Sequence, residues 1–85
     1  MDTQLSLTIL SPEKELFSGE VLSVTLPGEK GRFTVLPLHA PIISSLVQGA
    51  LIYQPVTADT QPVSLQITGG FVEVKENRVT VCVEI

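Results

Sequence analysis

Among the residues of this 85-residue chain able to do acid–base, nucleophilic or metal chemistry are one histidine, one cysteine and nine carboxylates. His39 lies in Pro37-Leu38-His39-Ala40-Pro41. An imidazole is the usual general base near neutral pH and a frequent metal ligand. No second histidine, thiol or acidic cluster stands near it in sequence to complete a site. The flanking prolines point instead to a rigid connection, with His39 as a structural or interface residue. Cys82 alternates with Val81 and Val83, and Glu84 shares its side of the strand. A reactive thiolate needs a cationic neighbour, so Cys82 reads as a packed or half-buried structural residue. A single cysteine precludes an intramolecular disulfide and a cysteine-based zinc site.

Two glycine pairs could bring backbone to a ligand. Gly28-Glu29-Lys30-Gly31 lacks the longer loop ending in Lys-Ser/Thr that cradles phosphates and does not open a helix, so it reads as a strand-linking turn. Lys30 and Arg32 are two of only five basic residues, which makes this tip locally cationic and suited to docking. Thr68-Gly69-Gly70-Phe71 puts adjacent glycines in strand-like sequence, the mark of a bulge, a positive φ or a close backbone approach. The carboxylates fall mostly in turns or at polar strand positions and read as solvated. From the residues alone, no catalytic, metal or cofactor-binding set is assigned.

The elements that position these residues are short strands. Val, Ile and Thr take 25 of the 85 positions and Ala only three, a mixture that favours strands over helices. Phe71 to Ile85 alternates with period two through Val72, Val74, Val79, Val81, Val83 and Ile85, and Glu76-Asn77 reads as the turn of a hairpin. Leu5, Leu7 and Ile9 form one face of a first strand closed by Ser11-Pro12. Leu22, Val24 and Leu26 form a second, closed by Pro27-Gly28, and Phe33 and Val35 follow the turn. Strands over Ile42–Val47 and Ala50–Val56 flank Gly49, and Val63, Leu65 and Ile67 follow the polar loop Ala58-Asp59-Thr60-Gln61. Seven to ten such strands predict a single all-β domain over residues 1–85, an antiparallel sandwich or barrel.

Composition excludes several partners. Net charge is −4, with no Trp and one Tyr, so there is neither a basic stripe for phosphates nor aromatics to stack bases, and no nucleic-acid role is expected. No apolar run approaches the ~18 residues that span a bilayer, so direct membrane insertion is not expected. Met1-Asp2-Thr3-Gln4 lacks a signal-peptide start, which gives an expectation of a cytosolic-side domain of bacterial or organelle-encoded origin. Charged residues are only 16% of the chain, against about 25% in ordinary domains. A polar coat that thin hints at a partner.

The order of motifs resembles one family. Ser11-Pro12-Glu13 and Phe17-Ser18-Gly19-Glu20-Val21, then Leu36-Pro37-Leu38-His39-Ala40-Pro41, Thr68-Gly69-Gly70-Phe71-Val72-Glu73-Val74 and Asn77-Arg78-Val79-Thr80-Val81, are similar to segments of the epsilon subunit of F-type ATP synthases. The resemblance implies a β-sandwich of about ten strands at the foot of the central stalk. It further implies a non-catalytic role, without cofactor, in coupling proton-driven rotation to ATP synthesis. The partners implied are the gamma subunit and the ring of c subunits, on the cytoplasmic face of the bacterial membrane. It places Glu29, Lys30, Gly31 and Arg32 at the c-ring and His39, Ala40, Pro41 and Ile42 against gamma.

The chain departs from the family pattern in places. Arg32 stands where an acidic residue is frequent, which implies carboxylates on the facing ring loops. Leu38 and Thr34 stand where many members have Gly. Through Ile85 there is no counterpart of the family's helical arm, so a coupling subunit without self-inhibition is expected. Two other classes are weighed against this reading. A biotinyl or lipoyl carrier would need an exposed hairpin lysine in a context that Lys14, Lys30 and Lys75 lack. A generic β-sandwich adaptor is the alternative that the residues alone allow.

Overall fold

The computed structural model of the chain describes residues 4–57 and 60–85; Ala58 and Asp59 of the expected polar loop lie outside them. Eight strands follow in order: β1 (Leu5–Leu10), β2 (Glu15–Gly28), β3 (Gly31–Val35), β4 (Ile42–Leu46), β5 (Gly49–Pro55), β6 (Val63–Ile67), β7 (Gly69–Lys75) and β8 (Arg78–Glu84). Eight replaces the expected ten or so, partly because β2 runs unbroken for 14 residues and serves two layers. Its first half pairs with β1, while its second half pairs with β5 on one side and β3 on the other. The first layer continues from β1 through β8 and β7 to β4, and β6 flanks β5 in the second. Neighbours are antiparallel except β1 and β8, which run parallel with Leu7 opposite Val79. No hairpin joins those two strands, so no turn dictates their direction.

Alternation decides what is buried. Leu5, Leu7 and Ile9 of β1, Val72 and Val74 of β7, and Val79, Val81 and Val83 of β8 all face one core, joined by Val24, Leu26, Val35 and Leu51. No polar or charged side chain is buried among the described residues. The stability therefore rests on apolar burial, and a truncation such as Leu7→Ala costs about 2–5 kcal/mol.

Two positions break the expected pattern. Leu22, placed with Val24 and Leu26 on the inner face, is 41% exposed, and Val21 is buried instead. The β2–β5 register slips between Val21 and Ser23, and an extra residue in one strand turns its neighbours to the other face. Ile85 lies beyond the last cross-strand pair, Gly69–Glu84, and is exposed rather than part of the inner stripe. The glycine pair at 69–70 is not a bulge. Gly70 keeps register with Val83, but at φ 144° a Cβ there would lie 2.1 Å from the Cys82 carbonyl oxygen. The need is for close approach of the neighbouring backbone.

Candidate functional site

Two exposed segments border β4, one rooted at each end. The first is the β2–β3 turn. Gly28 pairs with Gly31 across Glu29 and Lys30, and Glu29 through Arg32 are all exposed. Gly31 takes φ 127°, with open space around the missing side chain. The tip is tied down rather than free: the Glu29 N–H donates to the Ser45 carbonyl at 3.0 Å, and Val47 N–H donates to Pro27 at 2.9 Å. The structure thus gathers Glu29, Lys30, Gly31 and Arg32 on one tip, with a shallow cleft of about 560 Å³ between it and β4. Thr34, one of the family departures, shares a 2.9 Å hydroxyl hydrogen bond with Thr25 across the same hairpin.

The second segment enters β4 from the other end. The His39 N–H donates to the Leu36 carbonyl at 3.1 Å, closing a turn with Pro37 and Leu38 at its centre. Leu38 has φ 69°. Proline second and a positive φ third define a type II turn, whose third position favours glycine. His39 is half-buried, and its Nδ1 lies 2.8 Å from the Ala40 carbonyl oxygen. A carbonyl can only accept, so Nδ1 carries the proton and Nε2 of a neutral ring is an acceptor. Ala40 and Pro41 are exposed and Ile42 half-buried, so His39 to Ile42 form one continuous ledge. Ile42 of this ledge also lines the cleft beside Glu29 to Arg32, so the two segments approach each other along β4.

Sequence reading left two further features unassigned. On the outer face of β4, Ile43 is 75% exposed, and on the adjacent β7 Phe71 is 51% exposed, diagonal to it in the Ile43–Glu73 and Ser45–Phe71 register. Cys82, half-buried, sits opposite Phe71, and Leu10 opposite Cys82, so the apolar line crosses four strands. The period-two pattern of β7 could have revealed Phe71, because it alternates against Val72 and Val74. The other feature is Asn77, whose side-chain oxygen accepts from the Leu38 N–H at 2.6 Å across 39 residues of sequence. Nothing in the spacing of two turns announces that bond. Among the described residues no three His, Cys, Asp or Glu side chains cluster as a metal site would require.

The chain matches the family described as ATP synthase, Delta/Epsilon chain, beta-sandwich domain over residues 4–85. It belongs to that family. The ATP synthase epsilon chain of Nitratiruptor sp. is 45% identical over 84 residues, covering 99% of this chain and 63% of the relative. That of Leptospira borgpetersenii is 38% identical over 78 residues, covering 92% of this chain and 59% of the relative. The epsilon-type domain therefore spans roughly 60% of the length of these curated relatives. In fold it is similar to a chain of the Euglena gracilis mitochondrial ATP synthase, solved as an OSCP/F1/c-ring assembly. The TM-score is 0.88 at 21% identity, over 98% of this chain and 52% of that one.

Proposed function

We propose that this domain is a non-catalytic part of the central stalk of a rotary F-type ATP synthase. There it bridges the gamma subunit and the c-ring and helps couple proton movement to ATP synthesis. The observation that carries this reading is the match to epsilon chains across practically the whole domain. Its surface supports the same reading. Apolar side chains such as Ile43 and Phe71 stand in solvent on one sheet face, an arrangement that a partner's surface would cover.

In this role His39, Ala40, Pro41 and Ile42 contact gamma, and the outer β4–β7 face extends that contact. Glu29, Lys30, Gly31 and Arg32 face the polar loops of the c-ring, where Lys30 and Arg32 meet carboxylates. The domain is peripheral, held on the cytoplasmic face of the bacterial membrane by the complex. Affinity-tagged chain expressed in its own host tests the reading. The expected result is stoichiometric recovery of gamma and c subunits from detergent-solubilised membranes. Recovery of the tagged chain without either subunit contradicts it.

A further inference from the structure

The turn that introduces His39 carries strain that the domain itself does not use. Leu38 occupies the glycine position of a type II turn, at φ 69°. In that region the Cβ of an L-residue crowds its own carbonyl oxygen. Packing does not offset this, because the Leu38 side chain is 72% exposed. A glycine would make the same turn without strain, and the chain places glycine at φ 127° in the β2–β3 tip. The strained turn is held from across the molecule. Asn77 Oδ1 accepts the Leu38 N–H at 2.6 Å, and the Asn77 carbonyl accepts the Ser6 N–H at 2.9 Å. Asn77 itself sits at φ 62° in the β7–β8 turn, where asparagine is well tolerated. One residue thus ties together the start of β1, the β7–β8 turn and the His39 segment.

Strain kept at an exposed site is an observation that calls for a function. We propose that Leu38 is the apolar anchor of the gamma contact, inserted into an apolar hollow on gamma, and that Asn77 positions it. This rests on the reading of the His39 segment as the gamma-facing ledge. Continuity supports it: Leu38 precedes His39 directly, and Leu38, His39, Pro41 and Asn77 line one hollow of about 400 Å³. At 72% exposure the Leu38 side chain is open to solvent, so an apolar hollow on gamma could receive it. The clamp fixes its direction before binding, which spares the ordering entropy that a loose loop would lose on docking.

Binding of the full chain to its cognate gamma subunit, measured by calorimetry beside thermal unfolding, tests this. Leu38→Ala keeps the backbone and removes an exposed side chain. It should weaken gamma binding about ten- to a hundredfold, as expected for a lost buried leucine, and move Tm by less than about 2 °C. Leu38→Gly should weaken binding at least as much while raising Tm by a few degrees, on the order of 3 °C. Asn77→Gly keeps a turn-compatible residue but removes the clamp, and should weaken binding about five- to tenfold; Asn77→Asp, which retains an acceptor, should restore it. Wild-type affinity in Leu38→Ala overturns the anchor, and wild-type affinity in Asn77→Gly overturns the positioning role. A fall in Tm in Leu38→Gly overturns the strain argument. Self-association of the wild-type chain that Leu38→Ala abolishes, with gamma binding intact, assigns the anchor to a second copy and overturns the proposal. Failure of wild type to bind gamma overturns this inference and the functional reading together, whereas wild-type binding with unaffected variants overturns the inference alone.

Discussion

The turns at the two ends of β4 differ in backbone and in the residue each uses. At the β2–β3 tip Gly31 takes φ 127°, a conformation open essentially to glycine alone; at the turn before His39, Leu38 takes φ 69°, which a leucine reaches under strain. The tip is polar and cationic, and its exposed side chains are Glu29, Lys30 and Arg32. The other end is apolar, with Leu38 in solvent and its amide clamped by Asn77. On the proposed anchor role, the strain at Leu38 serves its side chain. In the proposed role the two ends would make two kinds of contact: a long-range, salt-screened one at the tip and a short-range, desolvated one at the ledge.

The largest effect comes from breaking the frame that holds both ends. Gly70 pairs with Leu46 at the tip end of β4, and any side chain there meets the Cys82 carbonyl. Gly70→Ala should destabilise the domain by about 4 kcal/mol or more, a large share of the stability of so small a chain. Urea unfolding would show it, and both binding functions should fail together. At Gly31 the space is open, so Gly31→Ala meets no clash and costs about 1–3 kcal/mol of backbone strain.

Next is the ledge alone. His39→Asp should weaken gamma binding about tenfold, within the range of a moderate interface residue, while Tm and c-ring binding stay near wild type. Equal loss of fold and binding would make His39 a structural residue and erase the contrast between the two ends. At the tip, Arg32→Glu should weaken c-ring binding by up to about fivefold at low salt, and the difference should vanish near 0.5 M salt. Unchanged ring binding at low salt would remove the electrostatic half of the comparison.

The smallest effect lies away from both ends. Tyr53 packs its ring 4.4 Å from that of Phe17, and burial raises its pKa above the usual phenol value of about 10. The folded chain therefore holds a proton that the unfolded chain releases first. That contribution is intact below about pH 10 and is lost as pH rises through the folded-state value. Tyr53→Phe should flatten the decline of Tm above pH 10 and leave gamma and c-ring binding untouched. An altered affinity would show that the core, and not only the two ends, tunes the contacts.

Most of the architecture was legible because alternation is a local signal. The stripe Leu5, Leu7, Ile9 and the hairpin of Val72, Val74, Val79, Val81 and Val83 could be assigned inward without knowing any partner strand. Leu22 could not, because its direction depends on a register slip against Gln54 and Pro55 of β5, distant in sequence. The length of β2 was hidden for a similar reason: its two halves belong to different layers, which only pairing reveals. The segments at 29–32 and 39–42 were singled out through family resemblance and local charge; Glu29 to Arg32, Ala40 and Pro41 are exposed, and His39 and Ile42 half-buried. The clamp from Asn77 and the exposure of Ile43 were invisible, since each follows from juxtaposition across the sheet.

The central claim is that one small domain joins gamma to the c-ring through two separate contacts. Its most direct test is titration of the full chain into gamma alone, c-ring alone and the gamma–c-ring subcomplex at fixed ionic strength. The account predicts one chain per subcomplex, bound at least tenfold more tightly than to either part, because the second contact forms at high effective concentration. Affinity for the subcomplex no greater than for gamma alone would contradict the bridge.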